Sequence, residues 1–196
     1  DRKYASAVRS SLVAENNEIL CGADLSALED LLKQHYIFPH DPKLVQSMSQ
    51  EDWDPHLTLA LKAGAVTLEQ VIKYKSGEDK SIKPIRDIYK NGGYSLQYGA
   101  FPPKVAQTCG ISLEAAQNLF DAYWDLNWSV KKVAEEQTIK CINDEVWMLN
   151  PVSRFWYSLR SEKDRFSTLV QGTGAYAFDI FLGFILQKDK RFVACF

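Results

Sequence analysis

The sequence predicts an α+β fold, with strands near both ends of the chain and helices between them. Short apolar runs at residues 12–24 and 191–196 are typical of strands. Between these runs, apolar residues recur at helical spacing in segments that proline, glycine and capping residues delimit. With 196 residues, of which 46% are apolar, the chain can bury a core in one domain or in two small ones.

The first elements follow from local signals. Residues 12–14 and 19–24 predict a β-hairpin, because polar residues separate two apolar runs. Ser26 and Glu29 have the spacing of a capping box, which predicts a helix that runs to about residue 37.

The same signals predict the remaining elements in order. They are a loop at 40–54, helices at 56–63 and 67–74, a helix with Pro84 in its first turn, and helices at 102–108, 114–124 and 126–142. Residues 143–159 are predicted to be irregular, residues 166–188 to form a long, largely buried helix, and residues 191–196 to form a strand.

A stripe of cations and aromatic rings is the strongest functional signal. Arg86, Lys90, Tyr94 and Tyr98 recur every four residues, and Gly99 follows. On a helix, each step of four residues drifts only about 40°, so the four side chains share one face. Cations suit phosphates and rings suit a base or a sugar, so this face predicts a nucleotide-binding site.

Two simpler interpretations compete with that one. The sequence Asn91-Gly92-Gly93 is also typical of a hairpin turn. The charges at helical spacing could also form an ordinary solvated face.

The stripe resembles motif B of the family A DNA polymerases, R-x3-K-x3-Y-x3-Y-G. Three further segments resemble elements of that family, in the same order along the chain. The sequence from Asp24 to Glu29 is similar to motif A, D-x-S-x-x-E; Asp54 and His56 match the D-x-H element; and the Q-G-T-G-A at Gln171 matches the Q-G-[ST]-x-A segment before motif C. The segment around residues 150–157 and the Tyr at 94 look most like bacteriophage replicative members.

The resemblance implies a split palm of antiparallel strands and a long helix, with mostly helical fingers inserted. Residues 1–50 would form the first part of the palm, residues 51–163 the fingers, and residues 164–196 the second part of the palm.

The resemblance also implies the chemistry, which is transfer of deoxynucleotides from dNTPs to a primer 3′-hydroxyl with two Mg²⁺ ions. Asp24 and the Leu25 carbonyl would be the metal ligands, and Asp24 would be the catalytic carboxylate. Arg86, Lys90 and His56 would bind the triphosphate.

The remaining implied roles concern the sugar and the DNA. Glu29 would lie beneath the sugar, hydrogen-bond Tyr94 and crowd a 2′-hydroxyl, and Tyr94 would complete the nucleotide site. The resemblance implies that Tyr98, Gly99 and Gln171 contact primer–template DNA. Arg165 is expected to contact it as well, because it belongs to a basic patch that is interleaved with aromatic residues.

The sequence departs from the family pattern at two points. Motif A usually ends E-L-R, but here Glu29 is followed by Asp30 and Leu31. The H-D-E of motif C does not occur in the 196 residues. We therefore expect a second polypeptide, or a continuation of the chain, to supply motif C and the thumb.

Composition sets the remaining expectations. The four cysteines are far apart, which predicts no metal cluster and a reducing compartment, and the sequence predicts no membrane span. If the chain is a phage-like polymerase, its expected location is the cytoplasm of a bacterial host.

Two alternative functions stay open. One is a catalytically inactive DNA-binding fragment. The other is a dinucleotide-binding oxidoreductase fragment, since Gly172-x-Gly174-x-x-Ala177 matches G-x-G-x-x-[GA].

Overall fold

The computed structural model describes residues 7, 10–11, 13–19, 22 and 24–188. Within these residues the fold is α+β, as predicted, with nine α-helices and one three-stranded antiparallel sheet. The strand predicted at 191–196 lies outside the described residues, as does part of the hairpin predicted at 12–24.

Within the described residues, eight helices precede the sheet and one long helix follows it. The elements are α1 (Leu28–Ile37), α2 (Pro42–Met48), α3 (Pro55–Lys62), α4 (Leu68–Ser76), α5 (Lys83–Gln97), α6 (Pro102–Cys109), α7 (Leu113–Leu126), α8 (Trp128–Glu135), β1 (Ile139–Ile142), β2 (Glu145–Leu149), β3 (Trp156–Leu159) and α9 (Arg165–Lys188), with a 3₁₀ turn at Glu162–Asp164 before α9.

Most of the described helices begin at a capping side chain or a proline. The Ser112 side chain accepts a hydrogen bond from the Ala115 amide and begins α7. Gly110 ends α6 in the left-handed conformation that glycine adopts without strain. Prolines stand in the first turns of α3, α5 and α6, where their missing N–H costs no helical hydrogen bond.

Two of the early predictions are wrong. The Ser26–Glu29 capping box does not form, because α1 begins at Leu28 and its N-cap is Ala27, in a left-handed conformation with φ of 52°. The predicted loop at 40–54 contains helix α2. The Asp41 side chain caps α2 by accepting a hydrogen bond from the Leu44 amide at 3.0 Å.

The sheet was also not predicted. The helix expected over residues 126–142 ends at Glu135, and residues 139–159 then form β1, β2 and β3 in sequential antiparallel order. The β1–β2 turn consists of Asn143 and Asp144, with φ of 50° and 63°. Two consecutive positive φ values characterise a type I′ hairpin turn. The described strands therefore lie within the segment 51–163 that the sequence assigned to mostly helical fingers.

Two apolar clusters form the core. One lies among helices α3 to α7, with Leu57, Leu96 and Leu119 at its centre. The other joins α1 and α2 to α8, the sheet and α9, with Ile37, Met148 and Leu169 fully buried. Trp124 on α7 packs against both clusters and links them.

Buried polar contacts fix α9 against α1 and the sheet. The Asn150 side chain donates to the Thr173 hydroxyl at 2.9 Å, and that hydroxyl lies 2.6 Å from the Tyr36 hydroxyl. A methyl group at Gly172 would lie 2.8 Å from the Tyr157 ring, so glycine permits this close approach. These contacts hold the Q-G-T-G segment of α9 in one orientation.

Helix α9 has two unlike halves. Most of its buried residues lie between residues 166 and 174, whereas Ile180, Phe184 and Leu186 are exposed. The prediction of a largely buried helix is thus correct only for the first half. The run Glu162–Lys188 is long and apolar enough to cross a membrane by length and composition, a test that core helices of soluble proteins also pass.

Candidate nucleotide-binding site

An open cleft of about 530 Å³ lies where the start of α1, the helix α5 and the helix α9 meet. It gathers residues that are far apart in sequence. Five of the predicted site residues line it, namely Asp24, Leu25, Glu29, Tyr94 and Gln171. Its wall also includes Asp30, Gln97 and Phe178.

The stripe from Arg86 to Tyr94 lies on one continuous helix, α5, whose C-cap is Tyr98. The hairpin alternative for Asn91-Gly92-Gly93 is therefore wrong. Close packing explains one of the glycines, since a methyl group at Gly92 would lie 2.7 Å from Leu119 Cδ1 of α7. Glycine at this position lets α7 approach α5 closely.

A carboxylate holds Arg86, the first cation of the stripe. Asp54 Oδ2 accepts a hydrogen bond from Arg86 Nε at 2.6 Å. Asp54 Oδ1 accepts from the His56 and Leu57 amides at 2.9 and 3.0 Å and so caps α3. Burial alone would raise the pKa of Asp54, but the Leu57 amide and the Arg86 guanidinium outweigh it and hold that pKa below its usual value.

His56 lies between this ion pair and the aromatic part of the stripe. Its ring meets the Tyr94 ring edge to face, with centroids 5.7 Å apart. Burial lowers the pKa of His56; the Asp54 carboxylate opposes that shift, whereas Arg86 and Lys90 add to it. Lys90 is exposed. Arg86, Lys90 and His56, which were predicted to bind a triphosphate, are thus close enough to act on one another electrostatically, but none of them lines the cleft.

Glu29 was predicted to form a hydrogen bond with Tyr94, but in the structure its partner is Tyr98. The Tyr98 hydroxyl, one turn further along, donates to Glu29 Oε2 at 3.3 Å. Burial and the Glu29 carboxylate raise the pKa of Tyr98, and the nearby Gln171 side chain acts in the opposite direction. Glu29, Tyr98 and Gln171 therefore form one polar group beside the cleft.

Gly99 and Arg165 lie outside this cleft and line a second one of about 370 Å³. Gly99 has a φ of 78°, and a methyl group there would lie 2.8 Å from Lys163 Cδ. Arg165 donates to Glu162 at 2.7 Å, and its buried Nε has no hydrogen-bond partner in the described part of the chain. The structure therefore places these two predicted DNA contacts at a second cleft, and Gln97 borders both clefts.

The acidic edge of the cleft provides oxygen ligands but not a full metal site. Asp24, Glu29 and Asp30 line the cleft, and carboxylate oxygens suit Mg²⁺. Among residues 24–188 and the few others described, however, no group of three or more His, Cys, Asp or Glu residues is arranged to hold a metal ion.

Two contributors to the site were not identified as such from the sequence. Asp54 was noted only as part of a D-x-H element, yet it forms an ion pair with Arg86 across 32 residues of chain. Asp30 lines the cleft and acts electrostatically on His56. The Asp54-Pro55 pair is a helix-start signal that could have placed the carboxylate at an N-cap; no local pattern indicates its distant partner.

Comparison of the chain with known protein families, curated proteins and solved structures finds no match. The resemblance to family A polymerases therefore rests on the sequence motifs alone.

Proposed function

We propose that the cleft binds a deoxynucleoside triphosphate against a primer–template, as part of a template-directed DNA polymerase. One observation carries the proposal. Motif-like segments at Asp24–Glu29, Tyr94 and Gln171, with 64 and 76 residues between successive ones, line a single cleft. Chance motif matches would have no reason to converge in this way.

The side chains offer suitable chemistry for each part of a nucleotide. Arg86 and Lys90 offer a planar fork and a point charge to phosphate oxygens. Tyr94 is 44% exposed and presents an aromatic ring one turn beyond Lys90. The Glu29–Tyr98 pair offers a carboxylate and a ring at the other end of the stripe.

Two Mg²⁺ ions would assist phosphoryl transfer by neutralising charge on the reacting oxygens. Asp24 and the Leu25 carbonyl would hold them together with carboxylates from a second polypeptide or a continuation of the chain, the proposed source of motif C and the thumb. Mg²⁺ needs several hard oxygens in octahedral array, so a single aspartate does not suffice.

Nucleotide binding is the direct test. Equilibrium dialysis of labelled dATP with Mg²⁺ should show binding to the wild-type chain. We expect Arg86→Ala and Lys90→Ala each to weaken it by about 1.5–3 kcal/mol, or roughly 10- to 150-fold, because each removes a charge-assisted contact to phosphate.

Lys73→Ala is the matched control, because Lys73 is also a helical lysine but pairs with Glu69 within α4. It should bind dATP as the wild type does. Equal affinity in all four proteins would show that the stripe is a solvated face and would contradict the proposal.

The second candidate is a catalytically inactive DNA-binding protein. The incomplete carboxylate set among the described residues favours it. Primer extension with a polypeptide that carries an H-D-E hairpin and thumb separates the two: extension that Asp24→Ala abolishes supports the polymerase, whereas DNA binding without extension supports the alternative.

The dinucleotide-binding alternative has less support. Its fingerprint requires a glycine-rich turn between a strand and a helix. Gly172 and Gly174 instead lie in the interior of α9, seven and nine residues after its first residue.

A further inference from the structure

Asp54 uses its two carboxylate oxygens for two separate tasks. Oδ1 accepts hydrogen bonds from the His56 and Leu57 amides and so fixes the start of α3. Oδ2 accepts a hydrogen bond from Nε of Arg86, on α5, at 2.6 Å. The side chains of Asp54 and Arg86 are only 18% and 26% exposed, so the ion pair is shielded from water on most sides.

The contact leaves a defined part of the guanidinium available. An Arg side chain has five N–H donors, and Nε supplies only one of them. The other carboxylate near Arg86 is Asp87, whose oxygen lies 4.0 Å from Nη1, beyond hydrogen-bonding distance. Within the described structure, the terminal nitrogens thus remain free to form hydrogen bonds while Nε is held.

The same carboxylate also determines where His56 lies. The His56 amide is bonded to Asp54, and the ring packs against Tyr94 of α5. One aspartate therefore sets the positions of two groups beside the exposed Lys90.

We propose that Asp54 is a positioning residue, which orients Arg86 and His56 so that they engage the phosphates of a nucleoside triphosphate. The inference rests on the proposed nucleotide-binding function and adds a residue to it. Asp54 itself would not touch the nucleotide, because both of its oxygens are already engaged by the protein.

The chain contains a matched control for this role. Asp41 is also an N-cap aspartate followed by proline, and its side chain accepts the Leu44 amide. Among the salt bridges of the described residues, Asp41 has no arginine partner. Asn caps helices about as well as Asp. Asp54→Asn and Asp41→Asn should therefore both keep their caps, but only Asp54→Asn loses the charged acceptor for an arginine.

The experiment measures dissociation constants for Mg-dATP and for deoxyadenosine, which has no phosphate. It compares the wild type, Asp54→Asn, Asp41→Asn, Arg86→Ala and the double variant Asp54→Asn/Arg86→Ala. We expect Asp54→Asn to weaken Mg-dATP binding by about tenfold, the size expected for losing the geometry of a charge-assisted contact. Asp54→Asn should leave the dissociation constant for deoxyadenosine unchanged. Asp41→Asn should leave the dissociation constants for Mg-dATP and for deoxyadenosine unchanged.

The double variant separates positioning from folding. If Asp54 acts through Arg86, Asp54→Asn should add less than about twofold in the Arg86→Ala background, since coupled residues are not additive. Asp54→Ser, which also keeps a capping oxygen, serves as the second variant should Asp54→Asn unfold.

The outcomes are distinct. Lack of Mg-dATP binding by the folded wild type overturns the proposed function, and this inference with it. Wild-type binding that Asp54→Asn leaves unchanged overturns this inference alone. Equal weakening of Mg-dATP and deoxyadenosine, or a full effect that persists without Arg86, also overturns it, because either result indicates a general structural role.

Discussion

The two faces of helix α5 differ in what determines their residues. On the inner face, Tyr89, Gly92, Gly93 and Leu96 are all buried in the cluster among α3 to α7. On the outer face, Lys90 is exposed and Tyr94 is 44% exposed. Shape and volume explain the inner face, whereas burial in a core cluster does not explain a lysine and a tyrosine at their outer positions.

This difference separates stability from function within 15 residues. Substitutions on the inner face should lower the free energy of unfolding. Substitutions on the outer face should change ligand binding and leave the fold intact, because surface changes away from special features are usually within about 0.5 kcal/mol.

The largest expected effect is on the inner face. Leu96→Ala should lower the free energy of unfolding by about 2–5 kcal/mol, because it removes a fully buried side chain and leaves a cavity. Urea denaturation monitored by circular dichroism measures it. A loss below about 1 kcal/mol would show that the inner face is loosely packed.

The matching effect on the outer face concerns the ligand. Lys90→Ala should weaken Mg-dATP binding by about 1.5–3 kcal/mol and change the free energy of unfolding by less than about 0.5 kcal/mol. The same dialysis and urea experiments measure both quantities on one protein preparation. Destabilisation without loss of binding would reverse the roles assigned to the two faces.

The pKa of His56 reports whether a triphosphate binds at the outer face of α5. In the chain without nucleotide, burial and the positive charges of Arg86 and Lys90 hold the pKa of His56 below its usual value of 6.5. Bound triphosphate should raise it, because negative charge stabilises the protonated ring. Titration of the ring protons by NMR, assigned with His56→Gln, measures the pKa; no change at saturating nucleotide would contradict the triphosphate contact.

The same shift has a consequence for stability. Because the pKa of His56 is lower in the folded chain than in the unfolded chain, the unfolded state binds more protons near pH 6.5. The contribution of His56 to the free energy of unfolding should therefore fall as the pH drops through 6.5, and His56→Gln should reduce this dependence.

The smallest expected effects distinguish the two glycines of the inner face. A methyl group at Gly93 meets Leu59 at an ordinary 3.5 Å, so Gly93→Ala should stabilise α5 by up to about 1 kcal/mol through helix propensity. The methyl group of Gly92→Ala would lie 2.7 Å from the buried Leu119 side chain, which must move. We expect the Gly92 variant to be the less stable of the two by thermal denaturation; the opposite order would mean that α7 adjusts without cost.

The sequence predicted α5 well because its signals are local. Pro84 marks the first turn, and the four-residue repeat fixes one face. The sheet was missed because residues 137–142 follow a helical segment without proline or glycine. The Asn143-Asp144 turn also lacks the glycine that usually marks a two-residue hairpin.

Five of the eleven predicted site residues line one cleft, and the contacts among them were predicted less well. Asp24, Tyr94 and Gln171 line one cleft, as the motifs implied, but Glu29 bonds Tyr98 instead of Tyr94. The difference is one helical turn, which depends on how α1 packs against α5 and α9. The Asp54–Arg86 pair likewise depends on the packing of α3 against α5, which local sequence does not encode.

A template-directed polymerase site is tested most directly by asking whether the template selects the nucleotide that binds. We would measure the dissociation constants of the four dNTPs for the chain in complex with a primer–template whose primer ends in a dideoxynucleotide. At a template-directed polymerase site, the dNTP complementary to the templating base should bind at least about tenfold more tightly than the other three, a difference of about 1.4 kcal/mol. Changing the templating base should change the preferred dNTP. Equal affinity for all four, whatever the templating base, would contradict a template-directed polymerase site.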